Sequence, residues 1–67
     1  MAKVTINGIL ENIPQGTTVE AYLKKIGFVG KYVAVAINGS VIDRQEFDQI
    51  CFSDEDVVEI VRPVGGG

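Results

Sequence analysis

An Asn-Gly dipeptide between two β-prone runs constrains the fold of this chain more than any other local feature. Asn7 and Gly8 separate residues 3–6, which alternate polar and apolar side chains, from residues 9–13. Both central positions of a two-residue hairpin turn need a positive φ, and Asn-Gly is the pair that adopts it most readily. The first part of the chain is therefore predicted to form a β-hairpin.

A second Asn-Gly pair, Asn38 and Gly39, follows residues 33–37 and precedes Val41 and Ile42. Residues 33–37 are apolar throughout, with large β-branched side chains in one direction and alanines in the other. A strand whose large side chains are covered by a helix has this composition. The sequence therefore predicts a second hairpin with one buried face.

The segment between the two hairpins has the pattern of an amphipathic helix. Thr17 and Glu20 have the spacing of a capping box, and Gly27 is placed to end the helix. Four apolar side chains recur at helical spacing, namely Val19, Tyr22, Leu23 and Ile26. We expect this stripe to face the core.

The rest of the chain adds one more strand. Residues 43–48 are predicted to form a short helical turn or loop, residues 53–56 a turn, and residues 57–61 the last strand. The order β-β-α-β-β-β predicts an α+β domain in which a mixed sheet of four to five strands carries one main helix on one face. The last strand must reach back to the first hairpin, as in the β-grasp (ubiquitin-like) arrangement. We predict a β-grasp domain over residues 1–62 and an extended, flexible tail over residues 63–67.

The amino-acid composition argues against most kinds of catalytic and metal-binding site in this chain. The 67 residues include no His, which is the commonest general base and metal ligand at neutral pH. Without His, the single Cys51 can neither complete a usual zinc site nor pair with an internal base, and we expect it to be buried and inert. Residues 54–56 are all acidic, but they lack the spacing of a calcium loop and predict a solvated turn. We expect no metal, no bound cofactor and no catalytic residue.

The charge and hydropathy of the sequence limit the classes of partner that the chain can be expected to bind. The net charge is −3 and no basic run exceeds Lys24-Lys25, so we expect neither nucleic acid nor an anionic membrane surface as a partner. Residues 1–13 have no long apolar core, so we expect no signal peptide, and no run in the sequence approaches the roughly 18 apolar residues of a membrane span. With one Cys and no possible internal disulfide, the chain suits the reducing cytoplasm, and we expect a monomer when it is alone.

The final glycines offer the remaining chemistry. Pro63 disfavours helix, so we expect the tail to leave the last strand extended, and Gly65 and Gly66 have no Cβ to obstruct a narrow channel. The tail can then bring the carboxylate of Gly67 to another enzyme's reactive centre. A carboxylate must be activated before it reacts, and ATP can do this by forming an acyl-adenylate. A flexible end without a function is the alternative interpretation.

Six segments spread over nearly the whole chain carry a resemblance to a known family, namely residues 6–8, 16–19, 33–39, 43–47, 56–61 and 64–67. With these segments the chain resembles the ThiS family, the sulfur carriers of thiamin biosynthesis. Residue 43 is Asp, where relatives often have Pro, which is a detail of a turn.

The resemblance implies a β-grasp fold and a sulfur-transfer cycle. A ThiF-type (E1-like) enzyme would use ATP to adenylate Gly67, and a cysteine desulfurase would supply the sulfur for a thiocarboxylate. A ThiG-type thiazole synthase would then take the sulfur. Gly65 and Gly66 would give access to partner active sites, and Arg62, Pro63 and Val64 are candidate docking residues, as are apolar side chains on the uncovered sheet face.

Three alternatives remain open from the sequence. The same fold and chemistry could serve as the small subunit of a molybdopterin synthase, although such proteins are usually longer. A ubiquitin-like modifier would join its C-terminus to lysines. A pure interaction module would use neither the glycines nor the carboxylate.

Overall fold

A computed structural model describes residues 1–28 and 33–61 of the chain. In chain order the elements are β1 (Ala2–Ile6), β2 (Ile9–Ile13), α1 (Val19–Lys25), β3 (Ala34–Ile37), β4 (Ser40–Ile42), a 3-10 turn (Arg44–Glu46) and β5 (Val57–Val61).

The five strands form one mixed sheet in the order β2-β1-β5-β3-β4. Each hairpin is antiparallel, and β5 lies between them, parallel to β1 and antiparallel to β3. The last strand therefore does reach back to the first hairpin, and the sheet has the β-grasp topology that the element order predicts.

Both hairpin turns form at the predicted dipeptides. Asn7 and Gly8 have φ values of 51° and 83°, and Asn38 and Gly39 have values of 53° and 85°. Two consecutive residues with positive φ match the right-handed twist of the flanking strands. The turns fix the register, so that Ile6 lies opposite Ile9 and Ile37 lies opposite Ser40.

The start of α1 differs from the prediction by one residue. Thr18, not Thr17, is the N-cap, and its hydroxyl accepts a hydrogen bond from the backbone N–H of Ala21 at 3.0 Å. The Thr17 hydroxyl instead donates to the carbonyl of Pro14 at 2.7 Å. This shift puts Glu20 at the second helical position, so the predicted capping box between Thr17 and Glu20 is wrong.

The predicted glycine, Gly27, lies just after the C-cap of α1. Gly27 has a φ of 89°, and its N–H donates to the carbonyl of Lys24 while the N–H of Phe28 donates to that of Leu23. These two bonds form a Schellman motif, which satisfies carbonyls that would otherwise be left open at the helix end. Ile26 lies at this end and is exposed, so the last position of the predicted apolar stripe does not join the core.

The core lies between α1 and one face of the sheet. Val4, Val35 and Val58 come from the three central strands and Val19 from the helix, and all four are fully buried. The alternation predicted for β3 is confirmed, because Val35 is buried while Ala34 is exposed. The core is completed by aromatic side chains, including Tyr22 and Phe52, whose rings meet edge to face at 5.6 Å, and Phe47, which follows the 3-10 turn.

Candidate functional site

Strand β5 delivers the chain to the C-terminal residues that the sequence singles out. It is the central strand of the sheet, and it alternates buried Val58 and Ile60 with exposed Val57, Glu59 and Val61. Its core side is packed under α1 and its backbone is paired with both hairpins. The C-terminal segment therefore follows a strand that is paired on both sides and packed on one face.

The side chain of Asn38 binds the beginning of β5. Its Oδ1 accepts from the N–H of Val57 at 2.9 Å, and its Nδ2 donates to Oδ1 of Asp56 at 3.0 Å. The carboxylate of Asp56 is buried and also accepts from the N–H of Ser53 at 2.7 Å. This part of the acidic turn is thus a hydrogen-bonded junction, and the prediction of a fully solvated turn is wrong for Asp56.

The side chain of Asn7 binds the other end of β5. Its Oδ1 accepts from the N–H of Ile60 at 2.9 Å, and its Nδ2 donates to the carbonyl of the same residue at 3.2 Å. An amide side chain can donate and accept at once, as a backbone unit does. Sequence reasoning assigned both turn asparagines to turn geometry alone and missed that each also binds β5.

The face of the sheet opposite α1 exposes an apolar patch. The strand registers show which side chains lie on this face, because residues paired directly across strands point to the same face of a sheet. Thr5 points away from the core and is paired with Leu10 and Val57, and exposed Ala34 is paired with Val61. We define the outer-face patch as these side chains together with Val41, namely Leu10, Ala34, Val41, Val57 and Val61.

The large members of the outer-face patch are strongly exposed. Val41 is 76% exposed, Leu10 64%, Val61 61% and Val57 53%. They come from three strands, β2, β4 and β5, and Val61 is the last described residue before the C-terminal segment. Exposed apolar side chains gathered on one face are typical of a protein–protein contact surface. The carboxylate of Glu59 lies between Val57 and Val61 on this face and gives it one negative charge.

A concave surface lies between α1 and the first hairpin. It is a groove of about 380 Å³ whose lining includes Ile9, Glu11, Tyr22 and Ile26. Burial, and then the negative charge of Glu11, raise the pKa of Tyr22 above its ordinary value. The Tyr22 side chain therefore keeps its proton at neutral pH.

Cys51 is exposed, so the prediction of a buried cysteine is wrong. It lies between half-buried Ile50 and buried Phe52, and the alternation of an extended segment turns its side chain outward. Residue 51 forms an isolated antiparallel bridge with Thr18, and its thiol is 3.6 Å from the carbonyl oxygen of Gly16.

The predicted site residues Arg62, Pro63, Val64, Gly65, Gly66 and Gly67 all lie outside the described residues. Among residues 1–28 and 33–61, no three His, Cys, Asp or Glu side chains come together in a way that could hold a metal ion. Within the same ranges no helix is long and apolar enough to cross a membrane.

Comparison with known proteins identifies the relatives of the chain. The model of the ThiS family matches residues 4–67. The crystal structure of a thiamine biosynthesis protein (ThiS) from Geobacter metallireducens superposes with a TM-score of 0.76 and 31% sequence identity. That match covers 97% of this chain and 99% of the other.

Two longer relatives are thiazole synthases. The protein from Magnetococcus marinus is 35% identical over 65 residues, and the protein from Paramagnetospirillum magneticum is 37% identical over 65 residues. Each match covers 97% of this chain but only 20% of the relative. This chain thus spans about a fifth of the length of these two curated relatives.

Proposed function

The chain belongs to the ThiS family, and from that membership we propose that it is a sulfur carrier of thiamine biosynthesis, with Gly67 as the carrier residue. The observation that carries this proposal is the family match over residues 4–67, because it extends past Val61 to the end of the given sequence and includes Gly65, Gly66 and Gly67. The agreement in fold over nearly the full length of both chains supports it.

The proposed chemistry has two steps at the terminal carboxyl group. A carboxylate oxygen of Gly67 attacks the α-phosphorus of ATP, pyrophosphate leaves, and an acyl-adenylate forms. A sulfide-level nucleophile then attacks the acyl carbon, AMP leaves, and a thiocarboxylate remains. Every group that catalyses these steps belongs to a partner. The carrier binds no cofactor, and it contributes a carboxylate at the end of a side-chain-free stalk and a surface to be recognised.

Three partners follow from this cycle. An E1-like, ThiF-type enzyme would adenylate the carrier, a cysteine desulfurase would supply the sulfur, and a ThiG-type thiazole synthase would consume it. The two thiazole synthases that contain a segment similar to this chain support the last of these. The exposed free thiol of Cys51 suits a reducing compartment, and we place the cycle in the cytoplasm.

We assign the outer-face patch to docking on the adenylating enzyme. Its side chains are exposed, apolar and contiguous with the end of β5, so a partner bound there also receives the residues that follow Val61. Arg62, Pro63 and Val64 would continue this contact toward the partner's active site. Gly65 and Gly66 would pass through the narrow part of the channel that leads to it.

Mass spectrometry of the protein isolated from its native cell tests the proposal. A carrier gains the mass difference between sulfur and oxygen at its C-terminus, and the added sulfur is lost when thiazole synthase and its substrates are added. A conjugate between Gly67 and lysines would indicate a protein modifier instead. Transfer of the sulfur to a molybdopterin precursor would indicate the other class of carrier.

Changing the length of the tail tests the role of Gly67. Deleting Gly67, or adding one glycine after it, keeps the same terminal chemistry but moves the carboxylate by roughly 3.5 Å along the chain. We expect both variants to fold normally, because the core formed by the described residues lies at or before Ile60, and to lose adenylation. Normal adenylation of both variants would contradict the assignment of Gly67.

A further inference from the structure

Strand β5 extends past the end of its parallel neighbour. The register pairs Ile6, the last residue of β1, with Val58, whereas β5 continues to Val61. On the β1 side, the backbone of Ile60 therefore lies beyond the last strand residue that could pair with it. In a buried position, open N–H and C=O groups would be costly. Ile60 is buried.

Asn7 occupies the missing pairing position. Its backbone N–H donates to the carbonyl of Val58 at 2.9 Å, and its side chain binds both the N–H and the C=O of Ile60. A turn residue with a φ of 51° thus replaces the next residue of β1 as the partner of β5. The three hydrogen bonds extend the pairing of β5 to the last buried residue before the C-terminal segment.

We propose that Asn7 is a positioning residue for activation of the carrier. By fixing the peptide groups on both sides of Ile60, it sets the direction in which the chain leaves the sheet while the outer-face patch is docked. This inference rests on the proposed function. A displacement of about 1 Å between reacting groups can lower a rate by on the order of a hundredfold. The direction of the chain at the end of β5 therefore affects the rate of the chemical step.

The second hairpin provides a matched comparison. Asn38 is also the first residue of an Asn-Gly turn with positive φ, and it also binds β5 through its side chain. Its contact is with Val57, at the opposite end of the strand from the C-terminal segment. Asn7→Gly and Asn38→Gly both keep a turn that tolerates positive φ, and each removes the side-chain bonds at one end of β5.

The test is ATP–pyrophosphate exchange, which reports adenylation of the carrier by the activating enzyme of the same organism. The carrier is the varied substrate for kcat and KM, and the temperature is well below the melting temperature of each variant. We expect Asn7→Gly to lower kcat by on the order of tenfold or more with little change in KM, because the outer-face patch is intact. We expect Asn38→Gly to leave kcat unchanged. Hydrogen exchange at the amide of Ile60 should become faster only in Asn7→Gly.

Equal kcat values for the two glycine variants, or a change in KM alone, would overturn the inference. Should Asn7→Gly fold poorly, Asn7→Asp keeps the turn and the acceptor for the N–H of Ile60, but it replaces the amide donor with a carboxylate oxygen that repels the Ile60 carbonyl. A kcat for Asn7→Asp equal to that of the unaltered protein would also overturn the inference, and a lower kcat with KM unchanged would support it. If the unaltered protein is not adenylated at all, the proposed function itself fails.

Discussion

Val57 and Val58 are consecutive residues of β5, and their truncation to alanine should separate stability from partner binding. Val58 is fully buried against α1, whereas Val57 is 53% exposed on the outer face. The two substitutions remove the same atoms from the same strand. Any difference between them therefore reports the face on which each side chain lies.

The expected cost of Val58→Ala follows from its burial. Two buried carbons at about 0.8 kcal/mol each give roughly 1.6 kcal/mol, and the cavity left behind raises the loss to about 2–3 kcal/mol. In a domain of this size, each 1 kcal/mol lowers Tm by about 4–8 °C, so a fall of roughly 10–20 °C is expected. Val57→Ala should change the free energy of unfolding by no more than about 0.5 kcal/mol.

For binding to the adenylating enzyme, we expect Val57→Ala to have the larger effect and Val58→Ala the smaller. Truncating an exposed contact side chain is expected to cost about 1 kcal/mol of binding free energy, or a roughly fivefold increase in Kd, for Val57→Ala. Val58→Ala should bind normally at a temperature where it is fully folded. Urea unfolding and calorimetric titration measure the two quantities separately.

Equal losses of stability in the two variants would mean that the faces of β5 are wrongly assigned. If Val57→Ala binds as tightly as the unaltered protein, and a charged residue at position 57 has no effect on binding either, the outer-face patch is not the docking surface.

Two further predictions concern α1. Thr18→Ala removes the acceptor for the N–H of Ala21 and should cost about 1 kcal/mol in urea unfolding, whereas Thr18→Ser should retain most of the stability. Burial and the charge of Glu11 raise the pKa of Tyr22 in the folded protein above its unfolded value. The folded state therefore keeps a proton at pH values where the unfolded state loses it. This contribution to the free energy of unfolding is complete below the unfolded pKa of Tyr22 and is lost as the pH rises through the folded pKa. Urea unfolding from about pH 9 upward should show the free energy of unfolding decline, and the decline should be shallower in Tyr22→Phe.

The strands and turns could be predicted because their signals are local. Asn-Gly fixes a hairpin through the φ values of two residues, and the alternation of large β-branched side chains and alanines in residues 33–37 identifies the buried face of β3 without reference to its neighbours. The order of elements then leaves few ways to place the last strand. That strand was predicted to join the first hairpin, and it does so through β1.

The errors arise where tertiary contacts decide between equivalent local choices. Thr17 and Thr18 are both possible caps, and the choice follows from the bond of Thr17 to Pro14 and the bridge between Thr18 and residue 51. The same extended segment turns Cys51 outward, which its apolar neighbours in sequence do not reveal.

The candidate site also combines features that the sequence could predict with features that depend on tertiary contacts. The terminal glycines could be proposed from sequence because their chemistry needs no fold around it, and the family match includes them. The outer-face patch depends on strand registers that bring together residues as distant as Leu10 and Val57. The role of Asn7 depends on a contact with Ile60 across 53 positions of sequence, which no local pattern encodes.

The central position of β5 has a consequence for how the carrier is made. The ribosome synthesises this strand after all the others, and until it emerges the two hairpins have no strand between them to join their backbones. The sheet can close only once the chain has been read through Val61, because domains of this kind fold as a unit. A polypeptide that stops before Val61 would therefore lack the closed sheet and the outer-face patch assembled on it, so under the proposed function it would not be recognised for activation.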